Sequence, residues 1–268
     1  MMNSLMVAAT SLLGMPDAAN HPVKALEKTV GIIHELTARR SAKLHELASA
    51  LELNKSTVHN HLSTLREHEF VVKDGDEYRL SFEFLHVGGV LRNDIELYTK
   101  GKEPVETLAA DTGTLVTLAT HERGRAVVLY RAKGEQAVEI DTHVGSQITL
   151  HNSALGKAIL AHLPEDRVDD IIDTHGLPAS TPNTITDRET LDEELAQIRA
   201  DGFAFDDEEQ WRGLRCLGAP ILTDDGEVKG GISLSAPKND ITDDPADHEY
   251  VSAVKSTANI LELALSYA

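Results

Sequence analysis

The sequence predicts an α+β protein with an N-terminal winged helix-turn-helix, a linker helix and a C-terminal α/β domain. Three observations predict it. Residues 54–65, N-K-S-T-V-H-N-H-L-S-T-L, carry one apolar stripe on an otherwise polar helix. After Glu69 the apolar period switches from 3.6 to 2 around Asp74-Gly75, a strong hairpin signal. From Gly113 onward, strand-like runs alternate with capped helices. The expected divisions are an extension over 1–20, a winged domain over 21–82, an interdomain helix over 83–101 and an α/β domain able to bind a small ligand over 102–268.

Val23 to Ala38 reads as a first helix, with Pro22 just inside its start and Leu26, Val30 and Ile33 recurring on its inner face. Arg39 and Arg40 suit its C-terminal dipole. Ser41 and Ala42 make a short connection. Leu44, Leu47, Ala48 and Leu51 mark a second helix, and Glu52 to Asn54 turn the chain into the third. Asn54 is placed to cap that third helix. Val58, Leu62 and Leu65 form its inward stripe. Lys55, Ser56, Thr57, His59, Asn60, Ser63 and Thr64 are left on the outer faces, a set rich in hydrogen-bonding groups that suits base edges in a major groove. A solvated helix face has the same look; the tight turn before it and the hairpin after it favour the DNA reading. Phe70 to Lys73 and Glu77 to Leu80 form the wing, flanked by Lys73 and Arg79 as phosphate contacts.

Phe82 to Lys100 reads as one helix with Leu85, Gly88, Gly89, Leu91, Ile95 and Tyr98 inward. Gly101 and Pro104 punctuate it before a short helix over Val105 to Thr112. T-L-V-T-L-A-T-H and A-V-V-L-Y-R-A make a hairpin, and E-Q-A-V-E-I-D and Q-I-T-L continue the sheet. Helices follow over Asn152 to His162, capped by Asn152 or Ser153, over Glu165 to His175, and after a Thr186 or Asp187 cap with Leu191, Leu195 and Ile198 inward. Phe203 to Phe205 is a strand, Leu214 to Leu222 and Glu227 to Ser235 a hairpin, and Asp243 to Ser266 a closing helix. One face of the sheet is expected to stay open to a small ligand.

Composition narrows the partners. Acidic residues outnumber basic ones by 44 to 25, a net charge of −19, while 41% of residues are hydrophobic, enough for packed cores. Such a surface fits a salt-rich cytoplasm, where screening tolerates self-repulsion. The charge is unevenly placed. Residues 1–80 hold 9 lysines and arginines against 10 acids, and residues 81–268 hold 16 against 34. The nearly neutral N-terminal part also carries six of the 13 histidines, so it is the part able to approach DNA. Cys216 is the only cysteine, which excludes an intrachain disulfide and thiolate zinc clusters. Residues 5–13 are apolar but too short to span a bilayer, and no basic residue precedes them as in a signal peptide. Residues 1–14 read as an upstream translation artefact or a loosely ordered tail. No membrane association is expected.

The order of motifs resembles the IclR family of transcriptional regulators over nearly all of residues 21–268. The resemblance rests on S-T-V-H-N-H-L-S-T-L at 56–65, H-N-S-A-L-G-K-A-I-L at 151–160, F-D-D-E-E at 205–209, G-L-R-C-L-G-A-P at 213–220 and G-G-I-S-L-S-A-P at 230–237. The acidic balance and the D-G-D-E-Y-R-L wing look like its haloarchaeal branch. Membership implies a winged helix that binds double-stranded operator DNA, a GAF-like domain that senses a small metabolite, and a dimer or dimer of dimers. By similarity the effector cavity is lined by Ser153, Ala154 and Leu155 at a helix start, Asp206, Cys216, Ser233 and Ser235. Three positions depart from the family pattern. Asn60 stands where Arg is common, which favours adenine contacts. His61 stands where an apolar residue is common and fits a packing role. Ala154 stands where some members have glycine, which narrows the cavity.

Residue chemistry supports a ligand site independently. Amides at a helix start hold a carboxylate, and Ser233 and Ser235 alternate with Leu234, so both face one side. Asp206 would repel a carboxylate unless it accepts from a ligand hydroxyl. These features favour a small oxo-, hydroxy- or sugar-derived acid, although capping and strand-edge polarity would look alike. Cys216 reads as a small buried hydrophobe, Asp207, Glu208 and Glu209 as a mostly solvated acidic run, and Trp211 as a cavity cover or a packing residue. An enzyme is not expected: A-L-G-K-A lacks the first glycine and the Ser/Thr of a phosphate-binding loop, and no nucleophile motif appears. His143, His151 and Cys216 have no metal-ligand spacing, so neither metal nor cofactor is expected. The rival readings are a chromatin-type DNA binder whose C-terminal domain only oligomerises, and an enzyme with an appended winged domain.

Overall fold

The computed structural model describes residues 20–266; the expectations for 1–14 and for the apolar 5–13 stretch lie outside them. The chain divides into two compact units, one ending at Leu91 and one starting at Arg92.

In the first unit, α1 (Lys24–Arg39) begins after Val23, so Pro22 precedes the helix rather than opening it. Its inner face is also not the expected one. Ile32 and Leu36 are buried, Ile33 is half-buried, and Leu26 and Val30 are 62% and 48% exposed. Two apolar stripes share this helix. The inward one contains Thr29, whose hydroxyl meets His61 Nδ1 at 2.8 Å, so His61 has the packing role its position implied. Residues 42–43 are a strand, β1 (Ala42–Lys43), rather than a plain connection. Next, α2 (Leu44–Ala50) is held at its start by Glu46, whose carboxylate accepts from the Lys43 amide at 2.6 Å. In α3 (Lys55–Glu67) the Asn54 side chain accepts from the Thr57 amide at 2.7 Å, and Val58, Leu62 and Leu65 are buried as expected. The wing strands are β2 (Val71–Asp74) and β3 (Glu77–Leu80), and β3 lies between β1 and β2. Its two-residue loop is Gly75-Asp76, with Gly75 at φ +58°, the position a type II′ turn reserves for glycine.

The expected single helix over 83–101 is two helices. α4 (Glu83–Asn93) stops at Asp94, and α5 (Glu96–Thr112) then runs unbroken through Gly101 and Pro104. Gly101 is a contact rather than a stop: a Cβ there would lie 2.4 Å from Leu118. No residue of α4 is buried, and Leu85 and Leu91 are 72% and 66% exposed, which overturns their inward assignment.

The second unit is built on a six-stranded antiparallel sheet, ordered β6-β5-β4-β9-β8-β7. β4 (Leu115–Glu122) and β5 (Arg125–Lys133) form the expected hairpin, and β6 (Gln147–Thr149) pairs with the start of β5. Residues 135–141 alternate like a strand but pair with none. The short α6 (Ala154–Leu160) is followed by α7 (Glu165–His175) and α8 (Arg188–Asp201). Then come β7 (Ala204–Asp207), β8 (Leu214–Leu222) and β9 (Val228–Pro237). The closing helix α9 (Glu249–Ser266) starts later than expected, because Asp243 lies in the preceding segment and pairs with Arg215.

Neither face of the sheet is left open. Leu217, Leu234, Ile232 and Val116 pack against α5 and α9 on one side. Cys216, Ala204 and Ala119 face α6, α7 and α8 on the other. β8 is buried over seven successive residues, as expected of a strand covered on both sides. α6 sits close on this sheet because glycines lie beneath it: a Cβ on Gly218 would fall 2.6 Å from the Ala154 carbonyl oxygen.

Candidate functional site

The structure presents two candidate surfaces, one in each unit. On the first, the outer residues of α3 take the positions expected of them. Lys55, Ser56, His59, Asn60, Ser63 and Thr64 are exposed and Thr57 is half-buried. Some of their groups have intramolecular partners: Ser56 donates to the Asn54 side chain at 2.8 Å, and Thr64 to the Asn60 carbonyl at 3.2 Å. Lys55, His59, Asn60 and Ser63 supply the remaining exposed hydrogen-bonding groups of this row. In the wing, the Lys73 ammonium lies 5.6 Å from the centre of the Tyr78 ring. The Arg79 guanidinium lies 6.0 Å from that of Phe82 and donates to the Leu80 carbonyl. Arg79 is therefore half-buried, and Lys73 is the freer cation.

The second surface is the side of the sheet that faces α6. Strand register sets out its polar residues in rows. Asp206 stands opposite Cys216, Cys216 opposite Ser235 and Ser235 opposite Leu115. In the next row Gly218 stands opposite Ser233, Ser233 opposite Thr117 and Thr117 opposite Arg131. Residues facing one another in this way share a side of the sheet. Asp206, Cys216, Ser233 and Ser235 are thus brought together, all buried. The Cys216 thiol donates to Ser235 Oγ at 3.2 Å, and burial pushes its pKa up, consistent with an inert small hydrophobe. Asp206 accepts from the Glu209 amide at 2.7 Å and the Gln210 amide at 3.4 Å. Burial, and then the nearby Glu209 carboxylate, push the Asp206 pKa up to about 7. Ser153 is committed to capping: its hydroxyl donates to the Thr149 carbonyl at 2.9 Å and accepts from the Gly156 amide at 3.1 Å. The Ala154–Leu155 peptide lies against Gly218, so these first two residues of α6 are buried by the strand beneath them.

Sequence reasoning missed the charged cluster beside this surface. Lys157, 1% exposed, donates to Glu209 at 2.5 Å and to Glu194 on α8 at 2.7 Å. Burial alone would lower its pKa; the two carboxylates outweigh that and raise it. The available signal was a lysine inside the apolar run A-L-G-K-A-I-L. The acidic run over 207–209 is paired rather than free: Asp207, its side chain still 42% exposed, pairs with Arg215, Glu208 with Lys238, and only Glu209 is buried, on Lys157. A positive φ of +61° at Glu208 turns the chain so that neighbouring carboxylates point to different partners.

Trp211 is 43% exposed. His151 Nε2 meets the Pro178 carbonyl at 3.1 Å and His143 Nδ1 meets Ser146 at 3.1 Å, so neither ring is directed at Cys216. Among the described residues, no three His, Cys, Asp or Glu side chains are grouped to share a metal ion. No helix among them is long and apolar enough to cross a membrane.

Two family models match the chain: the IclR helix-turn-helix domain over residues 25–75 and the bacterial transcriptional regulator IclR C-terminal domain over residues 91–262. The "Probable HTH-type transcriptional regulator ArcR" of Halobacterium salinarum is 37% identical, covering 94% of this chain and 99% of the relative. The transcriptional repressor IclR of Escherichia coli is 30% identical, covering 85% and 83%. Among solved structures, the IclR of Thermotoga maritima superposes with a TM-score of 0.74 at 26% identity, over 91% of this chain and 98% of that one. An IclR homolog from Microbacterium hydrocarbonoxydans, complexed with 4-hydroxybenzoate, shares the fold with a TM-score of 0.78 at 20% identity, over 91% and 100%. The family models describe regulators of transcription, not enzymes.

Proposed function

The chain belongs to the IclR family of transcriptional regulators, and from that premise we propose that it is a regulator of metabolic genes controlled by a small organic acid bound in its C-terminal unit. The observation that carries the DNA half of this reading is the exposed row of hydrogen-bonding side chains on α3, with the wing beside it. In it, Lys55, Ser56, Thr57, His59, Asn60, Ser63 and Thr64 face the major groove, while Lys73 and Arg79 meet phosphates. Asn60 reads a base edge and Lys73 only positions the protein. Asn60→Ala is therefore expected to relax preference at one operator position by about 1–3 kcal/mol, and Lys73→Ala to weaken all sequences alike. Binding across an operator library checks this; equal profiles for the two variants would show the roles to be misassigned.

The effector half places the ligand against Asp206, Cys216, Ser233 and Ser235, with Ser153, Ala154 and Leu155 bounding it at the start of α6. The 4-hydroxybenzoate complex of a structural relative supports a small organic acid as the class. Asp206 makes its binding pH-dependent. With a pKa of about 7 it is neutral below that pH and can donate to a ligand oxygen; above it, the carboxylate repels an anion. Affinity for an acid ligand is expected to fall by about tenfold or more as pH rises from 6 to 8, and Asp206→Asn to flatten the profile. Calorimetric titration with 4-hydroxybenzoate at both pH values measures it.

The functional species is a cytoplasmic homodimer or homotetramer. Exposed Val23, Leu26 and Val30 on and before α1 supply an apolar stripe of the kind a subunit contact covers. Ligand binding biases the placement of the winged domains through the helical segment over 83–101, so that one state fits the half-site spacing. Footprints that are identical with and without a bound ligand, on operators of varied spacing, would favour the chromatin-type alternative.

A further inference from the structure

The β4–β5 turn, the end of α7 and the segment between β6 and α6 meet around a small closed pocket. The turn is Arg123-Gly124, with φ of +48° and +73°, the two positive values of a type I′ hairpin turn. It seats a histidine. A Cβ on Gly124 would lie 2.8 Å from the His175 ring, and His175 Nε2 donates to the Arg123 carbonyl at 2.9 Å. That bond leaves Nδ1 toward Arg125, whose Nη2 lies 3.4 Å away, a long contact for a hydrogen bond. His151, 5% exposed, closes another side and donates through Nε2 to the Pro178 carbonyl at 3.1 Å. Leu160, Ile171 and Ile172 make up the apolar wall. Arg125 is half-buried, and among the described residues no carboxylate pairs with it. Glu122 stands opposite it across the hairpin without bonding it, and Thr149, on its other side, spends its hydroxyl on Asn152. Burial lowers the pKa of Arg125 and of His151, and no carboxylate raises either. In a chain with 44 acidic and 25 basic residues, a pocket lined by three basic side chains and no acid is built against the general charge.

We propose that this pocket binds a single chloride ion, held between the Arg125 guanidinium and the His175 ring, with His151 as its third basic neighbour. Size selects the class of ligand. The pocket volume of about 10 Å³ holds one water-sized particle, which excludes phosphate and organic acids. Charge selects an anion over water: a guanidinium withdrawn from solvent without a counter-charge gains more from an anion than from a neutral oxygen. Binding takes up a proton. With its Nε2 hydrogen spent on the Arg123 carbonyl, a neutral His175 turns only a lone pair to the pocket; the protonated ring donates from Nδ1 as well. The ion then separates two cations that would otherwise face each other. A protonated His175 also suits its place in the last turn of α7. The groups facing it are Arg125 from β5, Thr149 from β6, His151 from the segment before α6 and the Arg123 carbonyl from the turn, none of them an acid. The pocket shares no lining residue with the row of Asp206, Cys216, Ser233 and Ser235, so it stands apart from the effector reading. An occupied site ties β5, α7 and the lead into α6 together.

The test is chloride NMR line broadening on the full chain, titrated with KCl at constant ionic strength, potassium sulfate making up the balance. The wild type is expected to show saturable broadening that bromide displaces and sulfate, too large for the pocket, does not. Its affinity should be about fivefold or more higher at pH 6 than at pH 8, across the range where histidine changes charge. Arg125→Gln should lose about tenfold or more in affinity, and Arg125→Lys should recover part of that loss. His175→Gln should bind with one affinity at both pH values. Crystals of the wild type grown in KBr give a reading that depends on no variant's folding: one anomalous peak is expected between Arg125 and His175. A pocket without that peak would overturn the proposal. Broadening that persists unchanged in Arg125→Gln, or that sulfate displaces as well as bromide does, would put the chloride on exposed cations and overturn it too. A wild-type affinity equal at pH 6 and pH 8 would overturn the proton on His175.

Discussion

Replacing Lys157 with methionine is expected to destabilise the unit over 92–268 by about 3–5 kcal/mol, the usual cost of leaving a buried charge without its partner. The ammonium is 1% exposed and holds Glu209, itself 6% exposed, at 2.5 Å. Methionine fills much of the same volume, so the loss is electrostatic rather than a cavity. Burial already pushes the Glu209 carboxyl up, and Lys157 is the group that pulls it down. Without the lysine, Glu209 and Asp206 face each other as buried acids, and protonation is the available relief. The sign of the pH dependence follows. Both groups then have native pKa values above their unfolded ones, so the native state binds more protons, and the variant's stability falls as pH rises through that range. The deficit against wild type should be smaller near pH 5 than near pH 8. Lys157→Met combined with Glu209→Gln should recover part of it, since a neutral amide can stay buried with fewer unmet demands. Urea unfolding at the two pH values measures all three. A deficit below about 1 kcal/mol at pH 8 would mean that the pair is compensated by groups other than those named.

That cluster also marks where sequence reasoning stops. α3 was legible because every cue is local: a capping Asn54, an inward stripe at Val58, Leu62 and Leu65, and a glycine turn shortly after. Lys157 meets Glu194 and Glu209 across 37 and 52 residues, and no periodicity encodes a meeting at that range. Residues 207–209 fail for the same reason, since three adjacent acids read as solvated until their separate partners are in view. In α1 the stripe of Leu26, Val30 and Ile33 and the one of Ile32 and Leu36 are both apolar; packing into one cluster with α2, α3 and the wing strands chooses the second. Residues 135–141 have the alternation of a strand but no neighbouring strand to pair with. At the site, Asp206, Cys216, Ser233 and Ser235 were gathered by resemblance, and register then set them on one side of the sheet.

Raising KCl from low to multimolar is expected to raise the melting temperature by on the order of 10 °C, roughly 3–5 kcal/mol for a unit of this size. The argument sets net charge against ion pairs. Residues 81–268 carry 34 acids and 16 basic residues, so most carboxylates have no cation to meet, and their mutual repulsion outweighs the pairs that do form. Exposed pairs such as Arg167–Asp170 and Arg188–Asp192 are each worth little and are screened along with the repulsion. The net effect of salt is therefore stabilising, steepest below about 1 M, where the Debye length shrinks to about 3 Å. A melting temperature that does not rise with KCl would sink the idea of a chain adapted to high salt. The same salt weakens DNA binding through counterion release, in proportion to the phosphates neutralised. A surface that offered many cations would lose most of its affinity under the conditions that stabilise the fold. Here the face of α3 and its wing offers Lys55, Lys73 and Arg79, among uncharged Ser56, Thr57, His59, Asn60, Ser63 and Thr64. The log–log salt slope is then expected near −3 per winged domain, against −5 to −9 for proteins making about 6–10 phosphate contacts. A slope steeper than about −6 would show that phosphates, not base edges, carry the affinity. A shallow slope together with a rising melting temperature would show one chain meeting both demands in different parts: the acid excess of residues 81–268 is screened, while hydrogen-bond donors and acceptors on α3 keep their base partners in salt that strips cations from phosphates.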